Sequence, residues 1–290
     1  MAKNPIQWFP GHMAKTRRMM KECMPKVDIV LELIDARVPS SSKNPELKQM
    51  IEGKPHILIL TKSTLADAEA TKLWLDYYKR NGTYAVVIDS TTGDGIGRLA
   101  DAVREVLAEK IARYREKGME GRALKAMIVG IPNVGKSSLI NRIAKEKRTK
   151  VENRPGVTLD KQWVKTEIGF DLLDMPGVLW PKFSDELIGE NLAITGAIRD
   201  QILDTEEIAM ILCTRLMKYA PEAFMSRYKL TEQECEGLDG YDLFELVGRK
   251  RGLLIRGGEI NHERCAKMLL EEFRSGTIGR ITIELPDEVK

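Results

Sequence analysis

Residues 124–145 read LKAMIVGIPNVGKSSLINRIAK. An apolar run ends on Gly130, GIPNVGKS (130–137) matches G-x-x-x-x-G-K-[ST], and a helical pattern follows, which is the strand–loop–helix setting that motif requires. Its glycines permit a tight turn whose N–H groups converge on phosphate oxygens. Lys136 supplies a compact positive charge to the terminal phosphates, Ser137 offers a hydroxyl to Mg²⁺, and the helix behind presents its positive end to the anion. Asn133, Val134, Gly135, Lys136, Ser137 and Ser138 are therefore the phosphate-side candidates.

Downstream, FDLL runs into Asp174-Met175-Pro176-Gly177, a D-x-x-G element. A carboxylate at that strand end can hold Mg²⁺ through water, and the Gly177 N–H can meet a γ-phosphate. Between the two motifs, RPGVT (154–158) is the natural place for a switch threonine, Thr158, whose hydroxyl would complete the Mg²⁺ shell in the triphosphate state.

A nucleotide-binding sheet of this kind needs about six strands and a purine-reading loop. After Gly177 the chain turns helical, so the missing strands must lie upstream. Apolar runs at 27–34, 56–60 and 84–88 precede the P-loop strand at 124–129, and shorter ones follow at 163–166 and 171–173. HILIL ends in Thr61, Lys62, Ser63 and Thr64, where N-K-x-D would be expected; YAVVID ends in Ser90, Thr91, Thr92 and Gly93, a small-residue loop suited to supporting a purine. Circular permutation explains this order: the base-reading half comes first and the phosphate half second.

The fold expected is α/β, a circularly permuted P-loop domain with about six mostly parallel strands and helices on both faces, over residues 1–185. Helical patterns fall at 44–51, 66–80, 97–117 and 136–144. Residues 186–290 read as a smaller, mainly helical domain with helices at 206–219, 241–250 and 262–274, and one extended stretch, RITIE, at 280–284.

The chain has 290 residues, 43% hydrophobic and 31% charged, which excludes a disordered polymer. Forty-six basic against 43 acidic side chains leave +3, too little for a bulk polyelectrolyte partner of nucleic acid. Local basic clusters remain at Lys15, Arg17, Arg18 and Lys21; at Lys145, Lys147, Arg148 and Lys150; and at Arg249, Lys250, Arg251 and Arg256. Four cysteines without metal spacing read as reduced thiols of a cytosolic protein. The N-terminus has no secretory apolar region, and the longest apolar runs, about eight residues, are too short for a membrane span of roughly 20.

WFPGHMAK (8–15), DARVP (35–39), GIPNVGKSS, RPGVT, DMPG followed by VLWPKF (178–183), and LAITGAIRD (192–200) together resemble the circularly permuted GTPases of the YlqF/YawG family over nearly the whole chain. That resemblance implies a cytoplasmic GTPase that binds GTP and GDP with Mg²⁺. It further implies docking on the large (50S) ribosomal subunit late in assembly, contact with rRNA through the C-terminal domain, and a monomer away from the ribosome. The residue after D-x-x-G is Val178, which cannot orient water, so the resemblance suggests His12 for that role. Asn133 resembles a ligand for K⁺ in GTPases of this kind.

The chain departs from the family at T-K-S-T. Thr64 cannot supply the carboxylate that accepts from guanine N1 and N2, a loss of about 1–3 kcal/mol of base discrimination, and Thr61 replaces the loop-bracing Asn. Asp67 lies too far along to replace it without a loop shift. Two other readings stay open: an NTPase with relaxed purine choice, and a nucleotide-gated RNA-binding scaffold that barely hydrolyses.

Overall fold

The computed structural model describes residues 11–51, 53–144, 162–180, 183 and 185–288. In chain order the elements are α1 (Gly11–Cys23), β1 (Ile29–Asp35), α2 (Leu47–Met50), β2 (His56–Thr61), α3 (Ala68–Arg80), β3 (Tyr84–Val87), α4 (Ile96–Val106), α5 (Ala108–Glu116), β4 (Leu124–Gly130), α6 (Lys136–Ile143), β5 (Gln162–Lys165) and β6 (Phe170–Asp174). There follow α7 (Glu186–Ile194), α8 (Thr205–Tyr219), α9 (Pro221–Tyr228), α10 (Glu232–Cys235), α11 (Gly240–Lys250) and α12 (His262–Ser275).

Six strands form one sheet in the order β3-β2-β1-β4-β6-β5. Neighbours are parallel except the edge pair β5–β6. The P-loop strand β4 is thus flanked on one side by strands that precede it in the chain and on the other by strands that follow, as a permuted sheet requires. Every residue of β1, IVLELID, is buried, the pattern of a strand covered on both faces. Because β1, β2, β3, β4 and β6 run parallel, their carboxyl ends share one edge, where α/β sheets bind ligands.

Two local expectations need correction. The helix expected at 44–51 shrinks to α2, because Pro45 and the Asn44 side chain, which accepts from the Glu46 amide at 3.0 Å, set a turn first. The single helix expected at 97–117 breaks into α4 and α5 at Leu107, whose buried side chain turns into the core. The stretch 280–284 is extended but joins no strand of the sheet; instead the Ile281 and Ile283 amides donate to the Leu65 and Arg37 carbonyls, both at 2.9 Å. Helices α1, α7, α9 and α10 were not expected.

The sheet and α4, α6 enclose one apolar core, and the helices from α8 onward enclose another. The stretch after β6 feeds both: Leu192, Ala197 and Ile198 pack in the first, Ala193 and Ile194 in the second. Val38, from the loop after β1, also packs in the second. All four cysteines are free and buried. Among the described residues, no helix is long and apolar enough to cross a membrane.

Candidate nucleotide site

The phosphate loop leaves β4 at Gly130, where an added Cβ would sit 2.7 Å from the Leu33 carbonyl oxygen, so only glycine fits. Asn133 then adopts φ +57°, an uncommon left-handed conformation for a side chain to hold, and Gly135 (φ +103°) opens α6. The Asn133 amide donates to the Gly196 carbonyl at 2.8 Å, tying the loop to the chain after α7. Lys136 is buried and donates to the Gly130 and Ile131 carbonyls at 3.0 and 2.9 Å. Burial lowers its pKa to about 8 against the opposing charge of Asp174.

Asp174 stands at the end of β6, 1% exposed. Burial raises its pKa to about 6, while Lys136 and the Met175 amide pull it down. Its Oδ1 is buried without a hydrogen-bond partner among the described residues. An orphaned carboxylate oxygen in the same pocket as a buried lysine, with a serine hydroxyl at the start of α6, fits a hard divalent cation such as Mg²⁺. Gly177 closes the same side: a Cβ there would lie 2.9 Å from Pro132 Cα and 3.1 Å from Lys136 Nζ. The Val178 amide donates to the Gly130 carbonyl at 3.2 Å, and its side chain is buried in a cluster with Met19, Met20, Met24 and Met175. Val178 is therefore a core residue as well as a side chain unable to hold water.

On the base side, the Thr61 hydroxyl lies 2.6 Å from the Val134 carbonyl and 3.0 Å from that of Ile34. Lys62 also holds a left-handed backbone (φ +57°), and its Nζ pairs with Asp35 Oδ2 at 2.9 Å. Arg37 clamps the same carboxylate, Nε to Oδ1 at 3.0 Å and Nη2 to Oδ2 at 2.8 Å. Burial would raise the pKa of Asp35, but Arg37 and Lys62 hold it far below the usual carboxylate range. Burial, with Arg37 nearby, lowers that of Lys62 in spite of Asp35. Lys62 thus rests on Asp35 rather than extending as a cover for a base.

The Thr64 hydroxyl donates to Asp89 Oδ2 at 2.7 Å. Asp89 Oδ1 accepts from the Thr91 and Thr92 amides, each at 2.8 Å, and so orders the loop carrying Ser90. From α6, Arg142 Nη2 donates to the Thr92 carbonyl at 2.7 Å. Asp67 caps α3 by accepting from the Ala70 amide at 2.7 Å, which engages it where it stands.

Residues 61–64, 90–92, 133–138, 174 and 177 therefore converge at one edge of the sheet. Thr158 lies outside the described residues. His12 is the second residue of α1, and its side chain is likewise outside them. Asp35, Arg37, Asp89, Arg142 and Gly196 were not assigned from sequence. Asp35 and Asp89 carried the signal that singled out Asp174, an acidic residue closing an apolar run. A cleft bounded by Asp28, Lys54, Glu105, Lys110 and Arg113 opens at the amino ends of β1 and β2, the opposite edge, and brings none of these loops together.

A family profile described as 50S ribosome-binding GTPase matches residues 125–233. Ribosome biogenesis GTPase A of Priestia megaterium is 46% identical over 286 residues, 98% of each chain. Mitochondrial ribosome-associated GTPase 1 of Ictalurus punctatus is 32% identical, covering 96% of this chain and 92% of its own. Among solved structures, GDP-bound TM YlqF matches with a TM-score of 0.65 at 26% identity, covering 93% of this chain and all of that one. GNP-bound YlqF from T. maritima matches at 0.64 and 25%, covering 95% of this chain and all of that one. The chain belongs to the ribosome biogenesis GTPase A family, the circularly permuted YlqF/YawG GTPases, and is a GTP-hydrolysing enzyme.

Proposed function

We propose that this GTPase is a cytoplasmic switch in late assembly of the large ribosomal subunit, docking with GTP bound and leaving after hydrolysis. The observation that carries the reading is the junction of Thr61 with Val134, which sets a base loop against a phosphate loop in a family whose named relatives are ribosome factors. The family profile's description adds the 50S subunit. We assign nucleotide binding to residues 1–185 and rRNA contact to 186–290.

The reaction is in-line attack of water on the γ-phosphate. Lys136 would turn from the loop carbonyls to the phosphate oxygens and offset the charge that develops there. Ser137, Thr158 and, through water, Asp174 would hold Mg²⁺, which would supply Lewis-acid neutralisation of the developing charge. Gly177 would donate its amide to the γ-phosphate. His12 would orient the water. Asn133 would help bind K⁺, so turnover should be faster in K⁺ than in Na⁺, and equal rates would count against that ion.

Basic side chains for RNA are unevenly available. Lys15, Arg18 and Lys21 are exposed on α1, whereas Arg249, Lys250 and Arg251 pair with Glu245, Glu234 and Glu272. Lys145, Lys147, Arg148 and Lys150 lie outside the described residues. The burial of Val178 favours one second reading, a nucleotide-gated scaffold whose intrinsic hydrolysis is slow. GTP turnover titrated with purified large subunits, with small subunits as control, tests both. A saturating rise with large subunits alone is expected; a flat profile would leave the scaffold.

A further inference from the structure

The family's base loop ends in a carboxylate, and here position 64 is a threonine. The Thr64 hydroxyl is nevertheless spent on a carboxylate, donating to Asp89 Oδ2 at 2.7 Å. Asp89 is 3% exposed, while Thr64 beside it is exposed. Two backbone amides hold Asp89 Oδ1 and the Thr64 hydroxyl holds one lone pair of Oδ2, so the carboxylate is fixed in orientation. A carboxylate offers about four acceptor positions, and the Thr91 and Thr92 amides and the Thr64 hydroxyl take three of them. Burial would push the Asp89 pKa up, but the hydrogen bonds from Thr64, Thr92 and Thr91 outweigh it and keep the group below the ordinary value, hence ionised at neutral pH. Both loops of the pair are anchored to the phosphate half, Thr61 through Val134 and Thr92 through Arg142.

We infer that Asp89, positioned by Thr64, is the carboxylate that selects guanine in this protein. The acceptor has moved from one base loop to the next, with the hydroxyl at 64 and the carboxylate at 89. Guanine presents two donors on one edge, N1–H and the 2-amino group, and the remaining acceptor position of an ionised carboxylate takes one of them. Adenine presents an acceptor at N1, which it repels, and xanthine presents a carbonyl at C2, which it also repels. Thr64 is the positioning residue: its hydroxyl holds Oδ2 in place, and its methyl group makes no demand on the base. This inference rests on the GTPase reading and names the group that gives that site its substrate.

The test is displacement of a fluorescent GDP analogue, with Mg²⁺, by GDP, IDP, XDP and ADP. Wild type should prefer GDP over XDP and ADP. Asp89→Asn replaces one acceptor with a donor, so GDP should weaken about 10–100-fold, the range for losing a charge-assisted hydrogen bond, and XDP should strengthen. A merely structural role for Asp89 would weaken all four nucleotides together. An Asp89→Asn protein with unchanged GDP:XDP and GDP:ADP ratios overturns the inference. Should that variant not fold, Thr64→Val decides, since it keeps the shape and removes the donor: the GDP:ADP ratio should fall several-fold, and an unchanged ratio is contrary. Wild type that binds none of the four would instead overturn the nucleotide site itself.

Discussion

The Thr61 hydroxyl and the Val134 carbonyl meet at 2.6 Å across 73 positions of chain. One belongs to the strand that ends in the base loop, the other to the phosphate loop, and both are buried. The strand order supplies the reason: β1 alone separates β2 from β4, and the Thr61 hydroxyl also reaches Ile34 of that intervening strand. The contact therefore ties together, at the level of two atoms, the halves that permutation exchanged.

Thr61→Val keeps the shape and removes the donor. It leaves a buried carbonyl unpaired, at a cost of about 1–3 kcal/mol. Urea denaturation should show that loss, and GDP dissociation should quicken because the two loops are no longer joined. A stability loss with unaltered dissociation would restrict the contact to folding.

Val178→Gln places a water-orienting residue type after D-x-x-G. In this fold the side chain at 178 points into a cluster with Met19, Met20 and Met175. A buried amide without partners costs about 1–3 kcal/mol, so the variant should melt earlier and hydrolyse GTP no faster than wild type. Accelerated single-turnover hydrolysis would contradict the burial.

Asp174 gives the nucleotide-free protein a pH dependence. Its folded pKa, raised by burial to about 6, exceeds the ordinary 3.8, so the folded state holds the proton more tightly than the unfolded one. Its stabilising contribution is full below about pH 4 and is lost as pH rises through 6, by roughly 3 kcal/mol at 1.36 kcal/mol per unit. Melting curves at pH 4.5 and 7 should differ through this group, and Asp174→Asn should flatten the difference.

Arg280 straps the base loop from the far end of the chain, donating to the Ala66 and Ser63 carbonyls at 3.0 and 3.1 Å. The Ile281 amide on the Leu65 carbonyl and the Asp67 amide on the Thr282 hydroxyl continue the strap. Arg280→Ala should raise the GDP dissociation rate several-fold, as read by stopped-flow fluorescence. Unchanged kinetics would confine the strap to packing.

How much of this was legible follows from where each signal lies. The strands were readable because each is a short apolar run closed by polar residues, and the phosphate loop because glycines, lysine and serine stand at fixed spacing. Helix α1 was not: its buried Met13, Met19, Met20 and Cys23 are interleaved with Lys15, Arg18 and Lys21, which read as a charged arm. The extended stretch 280–284 has strand composition, and only the neighbouring loops decide that it pairs outside the sheet. Asp89 was hidden for a similar reason. A carboxylate at the end of an apolar run is common, and its partner Thr64 is visible only once β2 and β3 lie side by side.

The most direct test of the permuted site is a crystal structure with Mg²⁺ and a non-hydrolysable GTP analogue. The phosphates should lie on residues 130–137 and the purine between Lys62 and the loop 89–92, with Lys62 drawn off Asp35. Phosphates on that loop with the purine remote from both 61–64 and 89–92 would contradict the account.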